Sequence, residues 1–150
     1  MGSLLRLREY FGQEDGSVEW RIQAIRGAIT VPDNTADAIS EAVHELLDVV
    51  EHQNRLSPEY LISVTFSVTR DLDALFPAAA ARHRLGWDAV PLLDVQQMYV
   101  PGSLSRCVRL LIHAQLPILH GDVCHVYLRE ARSLRPDLAG APITLVDCQP

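Results

Sequence analysis

The sequence predicts an α+β (mixed α/β) domain: one mixed five-stranded sheet with one long helix and short helices. Apolar residues recur at Ile39, Val43, Leu46, Leu47 and Val50, the period of a helix buried along one stripe. Ile62, Val64, Phe66 and Val68 alternate with Ser63, Thr65, Ser67 and Thr69, the period of a strand with one apolar and one hydroxyl-bearing face. Further short runs of strand character, punctuated by proline and glycine, complete the order strand, long helix, strand, short helix, three strands.

In chain order, WRIQAIRGAITV (20–31) reads as a strand, with Ile22, Ala24 and Arg26 on one face and Gln23, Ile25 and Gly27 on the other; Pro32 and Asp33 stop it. Gly27 is read as a place where a ligand can approach the backbone closely. Asn34 or Thr35 is placed to cap the long helix, which runs about five turns to Asn54. Ser57-Pro58-Glu59 turns the chain into the alternating strand. Pro77 opens a short helix reaching Leu85, and Gly86 stops it. Residues 90–94 form a short strand, Pro101-Gly102-Ser103 a turn, 107–113 a strand, 117–121 a break, and 123–134 a last strand before Arg135-Pro136-Asp137. One helix cannot cover both faces of five strands. Val108, Leu110, Ile112, Val126 and Leu128 suggest a second apolar face, so an obligate oligomer of cyclic symmetry is expected.

Composition narrows the function. At 150 residues, 48% hydrophobic and 21% charged, the chain has the makings of one ordinary core, which excludes a disordered or fibrous protein. A net charge of −6 and a pI near 5.4 argue against nucleic acid and anionic membranes as partners and toward a small molecule. No run approaches the ~18 apolar residues of a membrane span. All 13 cationic residues are arginine, so lysine Schiff-base and phosphate-loop chemistry is excluded while bidentate recognition of carboxylates stays open. Cys107, Cys124 and Cys148 lack C-x-x-C spacing, suggesting neither a disulfide framework nor zinc, and a reducing cytoplasm fits best. Residues 1–19, with Leu4, Leu5 and Leu7 broken by Arg6 and Arg8, read as a disordered extension and not a signal peptide. The domain then covers 20–138, and 139–150 is a mobile tail.

The sharpest anomaly lies between Asp94 and Asp122, where Arg106 and Arg109 occur without one Asp or Glu. Arg109 stands in CVRLLIH, among residues of sheet-interior character, and a buried guanidinium demands an anionic partner. Two readings stand: an acid across a subunit seam, or a ligand carboxylate. Arg26 is a second strand arginine with no acid before Asp33. Arg135 either points over a sheet edge or pairs locally with Asp137, and Tyr127 is either a core ring or a ligand contact. There is no nucleophile elbow, dinucleotide or phosphate loop, or zincin motif, and the six histidines lack ligand spacing. What remains is a site of arginines and neutral polar groups, suited to orientation and electrostatic stabilisation.

The runs IRGAITV (25–31), DLDALFPAAAAR (71–82), GW (86–87), VPLL (90–93), PGSLSRCVR (101–109), HVYL (125–128) and LRPDL (134–138) resemble, in that order, the monofunctional chorismate mutases of the AroH class. The resemblance implies a homotrimer forming a pseudo-α/β barrel, active sites between subunits, and rearrangement of chorismate to prephenate for phenylalanine and tyrosine synthesis. It implies no cofactor and no metal. It matches Arg109 to the arginine facing the ether oxygen of the breaking bond, Arg26 and Tyr127 to the holders of the side-chain carboxylate, and Arg82 and Arg135 to arginines near the ring carboxylate. Phe76, Ala78, Cys107 and Leu134 match wall positions.

Three positions depart from the family pattern: Gln97 where a glutamate is common, Asp94 where a cysteine is common, and Ala79 where a lysine occurs. Asp94 is expected to supply the carboxylate while Gln97 supplies a neutral hydrogen bond, or else to pair structurally with an arginine. The alternatives to a mutase are a non-catalytic trimeric binder of a dicarboxylate and an enamine/imine deaminase-like trimer, whose motifs are not found in the sequence.

Overall fold

The predicted helical stripe folds as α1, Ala36–Gln53, in a computed structural model that describes residues 18–140. Thr35 is the N-cap: its hydroxyl accepts the Ala38 N–H at 3.1 Å. Ile39, Val43, Leu46, Leu47 and Val50 are all completely buried against the sheet. Truncating one such leucine to alanine typically costs ~2–5 kcal/mol, so this stripe is the main anchor of the helix. Asn54 is the C-cap, at the predicted end.

The sheet is mixed and five-stranded, in the order β3-β2-β4-β1-β5, with β1 Trp20–Thr30, β2 Leu61–Val68, β3 Leu92–Gln96, β4 Cys107–Pro117 and β5 Val126–Leu128. Strand β4 runs antiparallel to both β1 and β2, while β5 is parallel to β1 and β3 to β2. Alternation along β4 separates two faces. Val108, Leu110, Ile112, Ala114 and Leu116 join Ile25, Ile29, Val64, Phe66 and Val126 in the core beneath α1.

That arrangement corrects the reading of the second face. Val108, Leu110, Ile112, Val126 and Leu128 all belong to the helix-covered core. The uncovered face mixes the hydroxyls of β2 with Val95 and Leu111, each 39% exposed, and Leu93, 59% exposed. Gly27 also serves the core and not a ligand: a Cβ there would lie 3.0 Å from Leu110 Cδ1 and 3.3 Å from Leu46 Cδ1.

Element ends differ from the sequence reading for identifiable reasons. The last strand is three residues long, not 123–134. At its start the Asn54 side chain takes the Cys124 N–H at 2.7 Å and the Cys124 carbonyl at 3.0 Å, drawing this segment away from the ladder. At its end Arg129 adopts a left-handed φ of 53° and sends its guanidinium to Glu45 of α1 and the Thr30 carbonyl. The chain then winds through 3₁₀ turns at Arg129–Leu134. Strand β3 is shifted two residues beyond 90–94, because Pro91 has no N–H and Val90 closes a turn on Trp87.

The short helix α2, Pro77–Arg82, stops before Leu85. Arg84 instead bridges to Asp48 and Glu51 of α1, and the Trp87 indole N–H donates to Glu51 at 2.7 Å, docking this segment onto α1. A last short helix, α3, spans Pro136–Ala139. The Glu19 carbonyl already accepts the Ile118 N–H at 2.8 Å. The expected extension over 1–19 and tail over 139–150 otherwise lie outside the described residues, as does Cys148. Among the described residues no helix is long and apolar enough to cross a membrane.

Candidate active site

Ala28 of β1 pairs with Arg109 of β4 on one side and Tyr127 of β5 on the other, so all three side chains share the face opposite α1. Cys107 and Arg26, each two residues along its strand from this row, point the same way. Ala28, Cys107 and Tyr127 form a small buried cluster with Ala131 and Ala139, against which Leu134 packs. Arg135 lies at the edge, in a two-pronged pair with Asp137 at 3.0 and 2.7 Å, the local pairing that was one of its two sequence readings.

Among the described residues neither Arg26 nor Arg109 forms an ion pair, and the buried Nε of Arg109 has no hydrogen-bond partner. Burial, which favours the neutral thiol, pushes Cys107 above its ordinary pKa, opposed only in part by the adjacent Arg109 guanidinium. Burial, then the Arg26 and Arg135 charges, hold His125 below the ordinary imidazole value. Gln97 lines a neighbouring cleft of about 220 Å³ between the Thr69–Asp71 turn and the loop ahead of β4; its Oε1 is buried and has no hydrogen-bond partner among the described residues.

The remaining predicted residues form a second group. Asp94 stands opposite Phe66 in the β2–β3 ladder, hence on the α1 face, and its carboxylate accepts the Ala78 N–H at the start of α2 at 3.0 Å. Burial raises its pKa, with the Ala78 amide and the nearby Arg82 charge pulling the other way. Phe76, 72% exposed, precedes the buried Ala78 at the mouth of α2. Asp94 therefore keeps company with Ala78 and Arg82, while Gln97 lines the cleft on other surroundings. Arg26 and Asp94 lie three strands apart on opposite faces, roughly 14 Å in sheet spacing alone.

Comparison with known proteins bears directly on this arginine-bearing face. Residues 22–138 match the family described as chorismate mutase type I. The chain belongs to that family. It is 47% identical over 121 residues to the chorismate mutase AroH of Thermus thermophilus, covering 80% of this chain and 98% of the relative. It is 38% identical over 118 residues to the AroH of Bacillus subtilis, covering 79% and 93%. A solved chorismate mutase from Clostridium thermocellum superposes with a TM-score of 0.67 at 42% identity, over 74% of this chain and 98% of that one.

Within this chorismate mutase fold, two positioning devices escaped the sequence reading. Asn34 does not cap α1. Its Oδ1 accepts the Asp73 and Ala74 N–H groups at 3.0 and 3.1 Å, and its amide donates to Asp73 at 2.7 Å, gripping the loop that leads to Phe76. Thr69 and Asp71 grip the start of β4: the Thr69 hydroxyl accepts the Cys107 N–H at 2.9 Å and Asp71 accepts the Arg106 N–H at 2.9 Å. Desolvation opposes ionisation of Asp71, but Thr69 and Arg106 together hold its carboxyl below the ordinary value. The available signal was the adjacency of two cap-type residues, Asn34 and Thr35, of which a helix uses one.

Proposed function

We propose that this chain rearranges chorismate to prephenate, the branch of aromatic amino acid synthesis leading to phenylalanine and tyrosine, at sites completed by neighbouring copies in a homotrimer closed as a pseudo-α/β barrel. One observation carries this reading: the residues matching the family's site fall into two groups that one chain holds apart. Arg26, Arg109, Tyr127, Arg135, Cys107 and Leu134 belong to the β4–β1–β5 face, while Phe76, Ala78, Arg82 and Asp94 belong to α2 and the β3 edge. Each group is half a site, and a head-to-tail contact between copies joins one group to the other. The exposed Leu93, Val95 and Leu111 on the uncovered face give such a contact apolar area to bury.

The reaction needs no covalent participation, since one C–O bond breaks and one C–C bond forms within a single molecule. Arg26, Tyr127, Arg135 and the neighbour's Arg82 clamp a dicarboxylate in its compact conformer, which removes part of the entropic barrier. Arg109, without a counter-ion among the described residues, faces the ether oxygen where negative charge grows, so its attraction is greater in the transition state than in the ground state.

Purified protein should consume chorismate, read as loss of its absorbance; binding without turnover would instead mark a dicarboxylate-binding trimer. Arg26→Ala and Arg82→Ala, each weakly active alone, should regain roughly a quarter of wild-type activity when co-expressed, because random assembly leaves one site in four with both halves intact. No recovery would place both halves in one copy and overturn the shared site.

A further inference from the structure

His125 precedes β5, and its imidazole Nδ1 accepts the Arg26 main-chain N–H at 3.0 Å. The β1–β5 ladder begins only at Gly27 opposite Val126. Upstream, Cys124 has both its main-chain groups engaged by Asn54, so an imidazole, and not the backbone, provides the partner for Arg26. A ring that accepts at Nδ1 carries its proton on Nε2, so this bond selects one neutral tautomer. The charged groups acting on the ring are Arg26 from β1 and Arg135 ahead of α3, the latter paired with Asp137, and Tyr127 lies two residues beyond His125 along the chain. Burial and both cations oppose protonation of the ring.

We propose that His125 is a positioning residue for Arg26: as a neutral acceptor it holds the Arg26 main chain at the end of the β1–β5 ladder, and thereby sets where the guanidinium meets a substrate carboxylate. This role presupposes that Arg26 is a substrate clamp. A protonated ring would turn an N–H toward the Arg26 N–H, and the bond would be lost. KM for chorismate should therefore rise as the pH falls below the ordinary imidazole value of 6.5, while kcat, governed by Arg109, holds steady.

The test measures kcat and KM for chorismate between about pH 5 and 8, where the substrate's carboxylates stay ionised, with wild type, H125A, H125N and R26A. His125→Ala should raise KM about fivefold at pH 8, equivalent to ~1 kcal/mol, with little change in kcat. His125→Asn, which offers an amide oxygen near the place of Nδ1 and does not titrate, should restore KM and flatten its pH dependence. An unchanged KM in H125A, or the wild-type acid rise persisting in H125N, would overturn the proposal. If Arg26→Ala itself leaves KM unchanged, the clamp reading fails; if it raises KM and H125A does not, only the role of His125 fails.

Discussion

Arg109 on β4 and Tyr127 on β5 stand on one row of the sheet with only Ala28 of β1 between them. Ala28 is 1% exposed, covered within a cluster that includes Tyr127 and Cys107. The local consequence is a cationic, sheet-backed wall in which Arg109 pairs with no acid among the described residues.

Arg109→Ala should lower kcat/KM by about 10²–10³-fold, the usual loss on removing one transition-state donor. Thermal stability should not fall with it, because Arg109 forms no ion pair among the described residues and its buried Nε has no hydrogen-bond partner there. Progress curves and melting of the same preparation check both; a marked loss of melting temperature with activity kept would contradict the assignment.

Gly27→Ala should destabilise the protein by roughly 1–3 kcal/mol, since the new methyl meets Leu110 and Leu46 at the sheet–helix contact. Denaturant unfolding measures it. Pairing the change with Leu110→Val, which frees volume at the same spot, should recover part of the loss.

Asn34→Ala removes three hydrogen bonds that hold the 73–74 loop and should cost about 1–2 kcal/mol. Asn34→Asp, which keeps the acceptor but sets a carboxylate against Asp73, should not rescue it. Hydrogen exchange at the Asp73 and Ala74 amides reads the effect directly.

Asp94 has a raised pKa in the fold, so its carboxyl favours folding only while protonated, below the ordinary value of 3.8, and that contribution is lost as the pH rises through the raised value. Asp94→Asn keeps an oxygen for the Ala78 N–H and removes the charge. Its melting temperature should exceed that of wild type near pH 7, with the gap closing toward about pH 3. A gap independent of pH would show that ionisation of Asp94 is not the cause.

Local pattern alone determined much of this protein. The stripe from Ile39 to Val50, the alternation of β2, the proline opening α2 and the order of elements follow from helical and strand periods, which each segment carries within itself. The isolation of Arg109 from any acid between Asp94 and Asp122 was equally legible, and so were Arg26 and Tyr127 as candidates; Phe76, Ala78 and Leu134 were reached through family resemblance, having no chemistry of their own to mark them. Tertiary structure decided the rest, because it depends on partners distant in the chain. Asn54 reaches 70 residues along the sequence to divert Cys124 and shorten β5. Leu46 and Leu110, not a ligand, explain Gly27. Periodicity tells which residues share a face but not which face a helix will cover, and only packing separated Asp94 on the α2 side from Arg109 on the open one.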